Sequence, residues 1–549
     1  MKSKAIHPKS LRFLVLPFFL LLSHSLIGQL PDLISTANGQ LDPIETDKEI
    51  ISQEINSDEE RPYNIEFVRA VEKVKDGKVK RETYVVNLAL LNSKKVVIKS
   101  SKSQQLLKME TKGGKYIQRY EDGEPKGFTN VMEVQFKDID GVREAQSIWE
   151  EIIERSISQW EEDISLPNTV ADMKVWLQKY VVSVSMDKHD AFQSLSPHDQ
   201  YEDYLTYEVS NLKNKDRQAL YTFSLADIEG NSLKASPSGS VMKLDIKSKG
   251  NKKYFIQEDQ NGLSFSNNIS LYFEDAASAL ECAKGIEAGI DLSKVIAEER
   301  NNQYEVCNDC LSEFMSAINE YNNNNISTEL TADCISELNI SKDDKSEYYR
   351  FRWADINADR VQQQFGTKEM KLILETQDKS DYILKTADGE IKGYQDKLEL
   401  YFNDLETFRK ATKQVVKIIG NCELGLEPKS AEWIQELFSS NVMNGIEQSL
   451  DLADDCSWEV SLSKEDGNKT DNYEFNIYDI DPNRMNLKVS KSKLQLELNT
   501  NRKEKIITKT NDEGKLEYTN KITLNFDSLD HLRIGAMTIH QLIGSCNPD

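Results

Sequence analysis

The stretch Tyr473-Glu-Phe-Asn-Ile-Tyr-Asp-Ile480 puts apolar side chains at alternate positions, the period of a strand with one buried face. Three earlier stretches share its aromatic start and its length: Tyr84-Val-Val-Asn-Leu-Ala-Leu-Leu91, Tyr221-Thr-Phe-Ser-Leu-Ala-Asp-Ile228 and Tyr349-Arg-Phe-Arg-Trp-Ala-Asp-Ile356. Their starts lie 137, 128 and 124 residues apart. Spacing of that kind marks an internal repeat, and the flanking sequence agrees. About 20 residues on, Leu107/Met109, Met242/Leu244/Ile246, Met370/Leu372/Leu374 and Leu494/Leu496/Leu498 alternate again. A turn glycine follows (Gly123, Gly262, Gly389, Gly514), and then a strand ending in Phe136, Phe273, Phe402 or Phe526.

After that strand the apolar period changes from 2 to 3.6. Asp138, Asp275, Asp404 and Ser528 stand where an N-cap would satisfy the free amides of a new helix. Leu405, Phe408, Ala411, Val415, Ile419 and Cys422 then form one apolar stripe. The expected unit is six or seven antiparallel strands closed by a helix, repeated four times. The fold class is therefore α+β and β-rich: four barrel or curved-sheet modules joined by helical connectors.

The expected boundaries are a signal peptide over 1–28, an acidic flexible lead-in over 29–61, and module 1 over 62–158. A helical connector over 159–203 leads to module 2 over 204–293, and another over 294–330 to module 3 over 331–424. The connector 425–454 precedes module 4 over 455–549. Ala171 to Val182, Leu311 to Tyr321, and Ser430 to Gln448 are the connector helices.

The order of strands and terminal helix resembles the pleckstrin-homology-like barrel. That resemblance implies recognition of peptides, proteins or lipid headgroups rather than catalysis, on fold analogy alone.

Lys2, Lys4, Lys9 and Arg12 precede the apolar run Phe13 to Leu22 and the small residues up to Gly28. This is the pattern of an export leader cleaved before Gln29, too short for a spanning helix. The compartment expected is periplasmic or secreted, with no membrane span. The chain carries 68 Lys and Arg against 92 Asp and Glu, a formal net charge of −24. Losing the leader removes four basic residues and makes it −28. Such a surface repels nucleic acid.

Among the seven cysteines, Cys334 and Cys456 each precede the first strand of a module, and Cys422 and Cys546 each end its helix. The expected disulfides are Cys334–Cys422 and Cys456–Cys546, as export permits. Cys307-Asn-Asp-Cys310 has the spacing of a redox centre or half a zinc site. It lacks a βαβ frame and a second ligand pair, so a local disulfide is expected, or one bond from Cys282 to either of them.

Two further features resemble sites. Asp479-Ile-Asp481-Pro-Asn483 and Asp355-Ile-Asn357-Ala-Asp359 open like calcium loops but have Arg at position six and no Glu at twelve, and read as turns. Lys73, Lys75, Lys78, Lys80 and Arg81 form a basic hairpin, a candidate anion site in the pleckstrin-homology resemblance and otherwise a solvated edge. No catalytic, metal or nucleotide motif stands in the chain, and no cofactor is expected. The function expected is a non-catalytic binding scaffold for a protein or peptide partner. The alternatives are a small-ligand or lipid-headgroup carrier, and a hydrolase with an unrecognised site.

Overall fold

The computed structural model describes residues 29–546, apart from 102–103, 187–188, 212–217, 306–308, 322–325, 331–333, 343–344, 440–441, 444, 454–455, 465–468 and 492. The leader lies outside the described residues. The chain divides into two compact units, Met1–Arg300 and Asn301–Asp549. Eight helices are described: α1 (Gln29–Gly39), α2 (Ile139–Asp163), α3 (Val170–Gln178), α4 (Ala276–Glu305), α5 (Cys310–Tyr321), α6 (Leu405–Asn421), α7 (Ala431–Ser439) and α8 (Leu529–Ser545). None is long and apolar enough to cross a membrane.

The β structure is antiparallel throughout and recurs in one strand order. In the first segment, Ile44–Glu45, Glu49–Ser57, Asn64–Lys73, Val79–Asn87, Ile117–Glu121 and Glu124–Thr129 form a six-stranded sheet in that order. Val97–Ser101, Gln104–Glu110 and Val131–Phe136 form a separate three-stranded sheet, and α2 follows. The segment after it repeats this order from Val184–Met186 to Asn268–Phe273 and ends in α4. The third runs from Ile326–Leu330 to Lys397–Phe402 and α6, with five described strands in its larger sheet. The fourth runs from Val442–Met443 to Lys521–Phe526 and α8.

The alternating residues fill the cores, Ile522, Leu524 and Phe526 being at most 2% exposed. Asp138, Asp275, Asp404 and Ser528 each accept a hydrogen bond from the amide three residues on, which starts the helix where the period changes.

Several expectations are corrected. Among the described strands no sheet pairs its first strand with its last, so no closed barrel forms; each segment holds two open antiparallel sheets. The described strands number nine in three segments and eight in the third, not six or seven. The extra ones come from residues read as lead-in or connector. Residues 29–61 are not a flexible lead-in: they hold α1, whose Leu30, Ile34 and Ala37 are buried, and the strands Ile44–Glu45 and Glu49–Ser57. Likewise Val184–Met186, His189–Pro197 and Ile326–Leu330 are strand, and within Ser430 to Gln448 the helix is Ala431–Ser439 while Val442–Met443 and the residues from Ile446 are strand.

What hid these hairpins is a polar residue on the inward face. Along Glu49–Ser57 the buried positions are Ile51, Gln53 and Ile55. The Gln53 amide donates to the Gln135 carbonyl and accepts from the Gln135 N–H, both at 2.8 Å. Gln193 does the same with Tyr272, and Gln448 with Asn525. In three segments a buried glutamine thus ties the larger sheet to the last strand of the smaller one.

Candidate functional site

The most developed polar constellation lies within the second unit. The strand Lys345–Arg352 buries Tyr349 and Phe351 and turns Arg352 to its other face; a 3-10 turn then presents Asp355. Near the start of α8, Asp530 and Arg533 stand three residues apart, on one helix face. The four meet as two crossed pairs. Arg352 donates through Nε and Nη2 to the Asp530 carboxylate at 2.8 and 3.0 Å. Arg533 donates through Nη1 and Nη2 to Asp355 at 3.0 and 2.8 Å. Both are two-point, charge-assisted contacts. The Arg533 and Asp355 side chains are only 9% and 5% exposed, so losing either would leave a buried charge. Burial alone would raise the Asp530 carboxyl; the Arg352 guanidinium outweighs it and holds the pKa below its ordinary value.

Aromatic rings and backbone complete the seam. The Arg533 guanidinium lies 4.3 Å from the Tyr382 ring centroid. The Tyr394 N–H donates to the Lys491 carbonyl at 2.8 Å, joining the outer strand Glu390–Gln395 to the hairpin that follows Asn486–Ser490. Gly393 makes this approach possible. Its φ is +113°, and a Cβ there would lie 2.5 Å from the Lys491 Cα. Ile335, Phe351, Leu384 and Leu529, with the same rings, line a cavity of about 30 Å³. That is room for a water or two and not for an organic ligand.

The first unit solves the same junction with apolar contacts. Leu90 and Leu280 take the positions of Asp355 and Arg533, and both belong to one continuous core. Gly127, with φ +85°, stands where Gly393 does, and a Cβ on it would lie 3.1 Å from the Gly239 carbonyl of the matching hairpin. Nearby, Glu281 is 2% exposed and accepts from Trp160 Nε1 at 2.7 Å, the Tyr180 hydroxyl at 2.9 Å and Arg61 at 3.4 Å.

No family model, curated protein or solved structure matches this chain. Its chemistry is therefore read from its own residues.

The structure joins Cys334 to Cys422 and Cys456 to Cys546, with Cα separations of 5.8 and 5.9 Å. Cys310 is also disulfide-bonded, while Cys307 lies outside the described residues. Cys282 is a free thiol, fully buried, and burial pushes its pKa up, so it is no nucleophile. A bond from Cys282 to Cys307 or Cys310 is thus overturned. The two Asp loops are turns. The Asn357 and Asp481 side chains accept from the backbone N–H two residues on, and Asp355 belongs to Arg533. Among the described residues no three His, Cys, Asp or Glu side chains gather closely enough to hold a metal.

The basic hairpin carries its own counter-charges. Lys80 pairs with Glu121 at 2.7 Å and Glu82 at 3.5 Å, Lys78 lies 3.7 Å from Asp76, and the Arg81 N–H donates to Asp122. Lys73, Lys75 and Arg81 are exposed along with them. Sequence reading missed Arg352, Asp530, Arg533 and Gly393. The available signal was the acid-x-x-Arg spacing at the start of the final helix, and the Asp-Gly-Glu-x-Lys-Gly run shared by residues 122–127 and 388–393.

Proposed function

We propose that this chain is an exported, non-catalytic interaction scaffold whose partner is a protein or peptide. In this reading the four β segments are divergent copies of one recognition module, related to the pleckstrin-homology family by element order alone. The observation that carries it is the junction within each unit. There one segment presents an outer strand and a turn, and the next supplies a hairpin and a helix start. A surface that recognises folded polypeptide inside the chain suits polypeptide recognition outside it, by strand edge and helix face. The seam's own cavity, about 30 Å³, is too small for an organic ligand, so this junction receives backbone and side chains. The two disulfides suit an oxidising compartment outside the cytoplasm.

The test is capture from a cell-envelope extract with the full mature chain as bait, read by mass spectrometry. A reproducible, stoichiometric protein partner is expected. A folded bait that retains no protein, yet gains thermal stability from one class of lipid or glycan, would overturn the reading in favour of a small-ligand carrier.

A further inference from the structure

The seam of the second unit has two halves, and each half recurs, unoccupied, elsewhere in the chain. Its helix half is Leu529, Asp530 and Arg533, which are one, two and five residues after the N-cap Ser528. Helix α2 carries Ile139, Asp140 and Arg143 at the same distances from its N-cap Asp138. There they face solvent. Leu529 is 8% exposed, whereas Ile139 is 36% exposed. The Asp140 and Arg143 side chains are 90% and 67% exposed and meet only each other, at 3.6 Å.

The receiving half is Arg352, Asp355, Tyr382 and Tyr394. The fourth segment places Asn476, Asp479, Ile506 and Tyr518 at these positions, counted from the shared Tyr start and from the last strand. Asp479 sits in the same 3-10 turn as Asp355, half-buried and with no cationic partner among the described residues. Burial, with Glu504 nearby, pushes its carboxyl up. Ile506 and Tyr518 are 38% and 57% exposed, and Leu516 beside them on the strand face is 55% exposed. Leu516 and Tyr518 stand on the outer strand Leu516–Thr519 and Ile506 just before the strand Ile507–Asn511 that pairs with it; large apolar groups at such an edge are ordinarily covered or charged.

We infer that the fourth segment of one copy receives the start of helix α2 of a second copy, with Arg143 against Asp479 and Ile139 against Ile506 and Tyr518. The occupant is a second copy because this chain carries both halves and their charges are complementary. Such a contact is heterologous, so it propagates head to tail into strings or closes into rings. It is weaker than the internal seam for two visible reasons. Glu517 replaces Gly393, and a side chain there fills the space the neighbouring hairpin backbone would need. Asn476 replaces Arg352, leaving one ion pair where the internal seam has two. The association is therefore reversible and concentration-dependent. Because every copy without its leader carries a net charge of −28, screening the long-range repulsion with salt to about 0.15 M favours it.

This inference rests on the scaffold reading in taking segment faces as recognition surfaces, and its test is separable. Sedimentation velocity of the full mature chain from about 1 to 200 µM would show a weight-average coefficient that rises with concentration. Arg143→Glu or Asp479→Arg alone should move that rise about tenfold or more higher in concentration. The double variant Arg143→Glu/Asp479→Arg should bring it back, an outcome that misfolding cannot produce. A monomer at every concentration, or association that neither reversal disturbs, would overturn the inference. If that monomer still captures an envelope protein, the scaffold reading stands and only the second copy is lost.

Discussion

At the residue scale, the features that set this chain apart are polar side chains in apolar surroundings. The three sheet-tying glutamines show why. Gln448 is 4% exposed and satisfies both backbone groups of Asn525 with its amide. Gln448→Leu preserves size and removes both hydrogen bonds, leaving a buried N–H and a buried C=O unpaired. The expected cost is about 3 kcal/mol, read as exchange of the Asn525 amide accelerated about a hundredfold. Unchanged protection at Asn525 would show the sheets are held by other contacts. These glutamines were illegible in the sequence because a strand with Gln at its central inward position breaks the apolar alternation used to find strands. Asp355 was misleading in the opposite sense. Beside Asn357 and Asp359 it looks like an ion ligand, and only the fold brings Arg533, 178 positions away, against it.

At the scale of elements, most of the architecture was legible. The caps of the four closing helices follow from N-cap chemistry, and side-chain period finds the strands that hold Tyr84, Tyr221, Tyr349 and Tyr473, although each of these ends three residues after its Tyr and a 3-10 turn follows where strand was expected to continue. Sheet closure was not, since alternation says which face is buried and nothing about whether the last strand meets the first. Two glycines define where elements join. Around Gly127 and Gly393 the outer hairpins shift register, while the corresponding hairpins of the other two segments, with Ser264 and Glu517 there, do not. Gly393→Ala forces a positive φ on alanine and pushes Cβ into the Lys491 backbone. It should cost about 2 to 3 kcal/mol and free the Tyr394 N–H to exchange. Gly389→Ala, also at positive φ but in open space, should cost about 1 kcal/mol and leave Tyr394 protected. Equal effects at Tyr394 would mean that close approach is not what the glycine serves.

At the scale of the whole molecule, the two units differ in what closes them. Every cysteine except Cys282 lies beyond residue 300. Loops of 88 and 90 residues are closed by the Cys334–Cys422 and Cys456–Cys546 bonds, each worth about 4 kcal/mol at most in the chain-entropy account. Reductant should therefore lower protection across the sheets of the second unit and leave those of the first unchanged, as exchange mass spectrometry on the intact chain can show. Loss of protection in the first unit would reveal a coupling between the units.

The same two bonds have a mechanical side. Pulled by its two ends, the chain carries tension into and out of the disulfide-closed part of each of these segments at the paired cysteines, with Ile326–Leu330, Val442–Met443 and Ile446–Leu452 lying outside the closed parts. Force then runs through the sulfur bridge and bypasses the strands between the two cysteines. The bypassed chain would otherwise pay out about 600 Å of contour. The first unit has no such bypass, so under load it yields and lengthens while the strands enclosed by the two disulfides keep their shape.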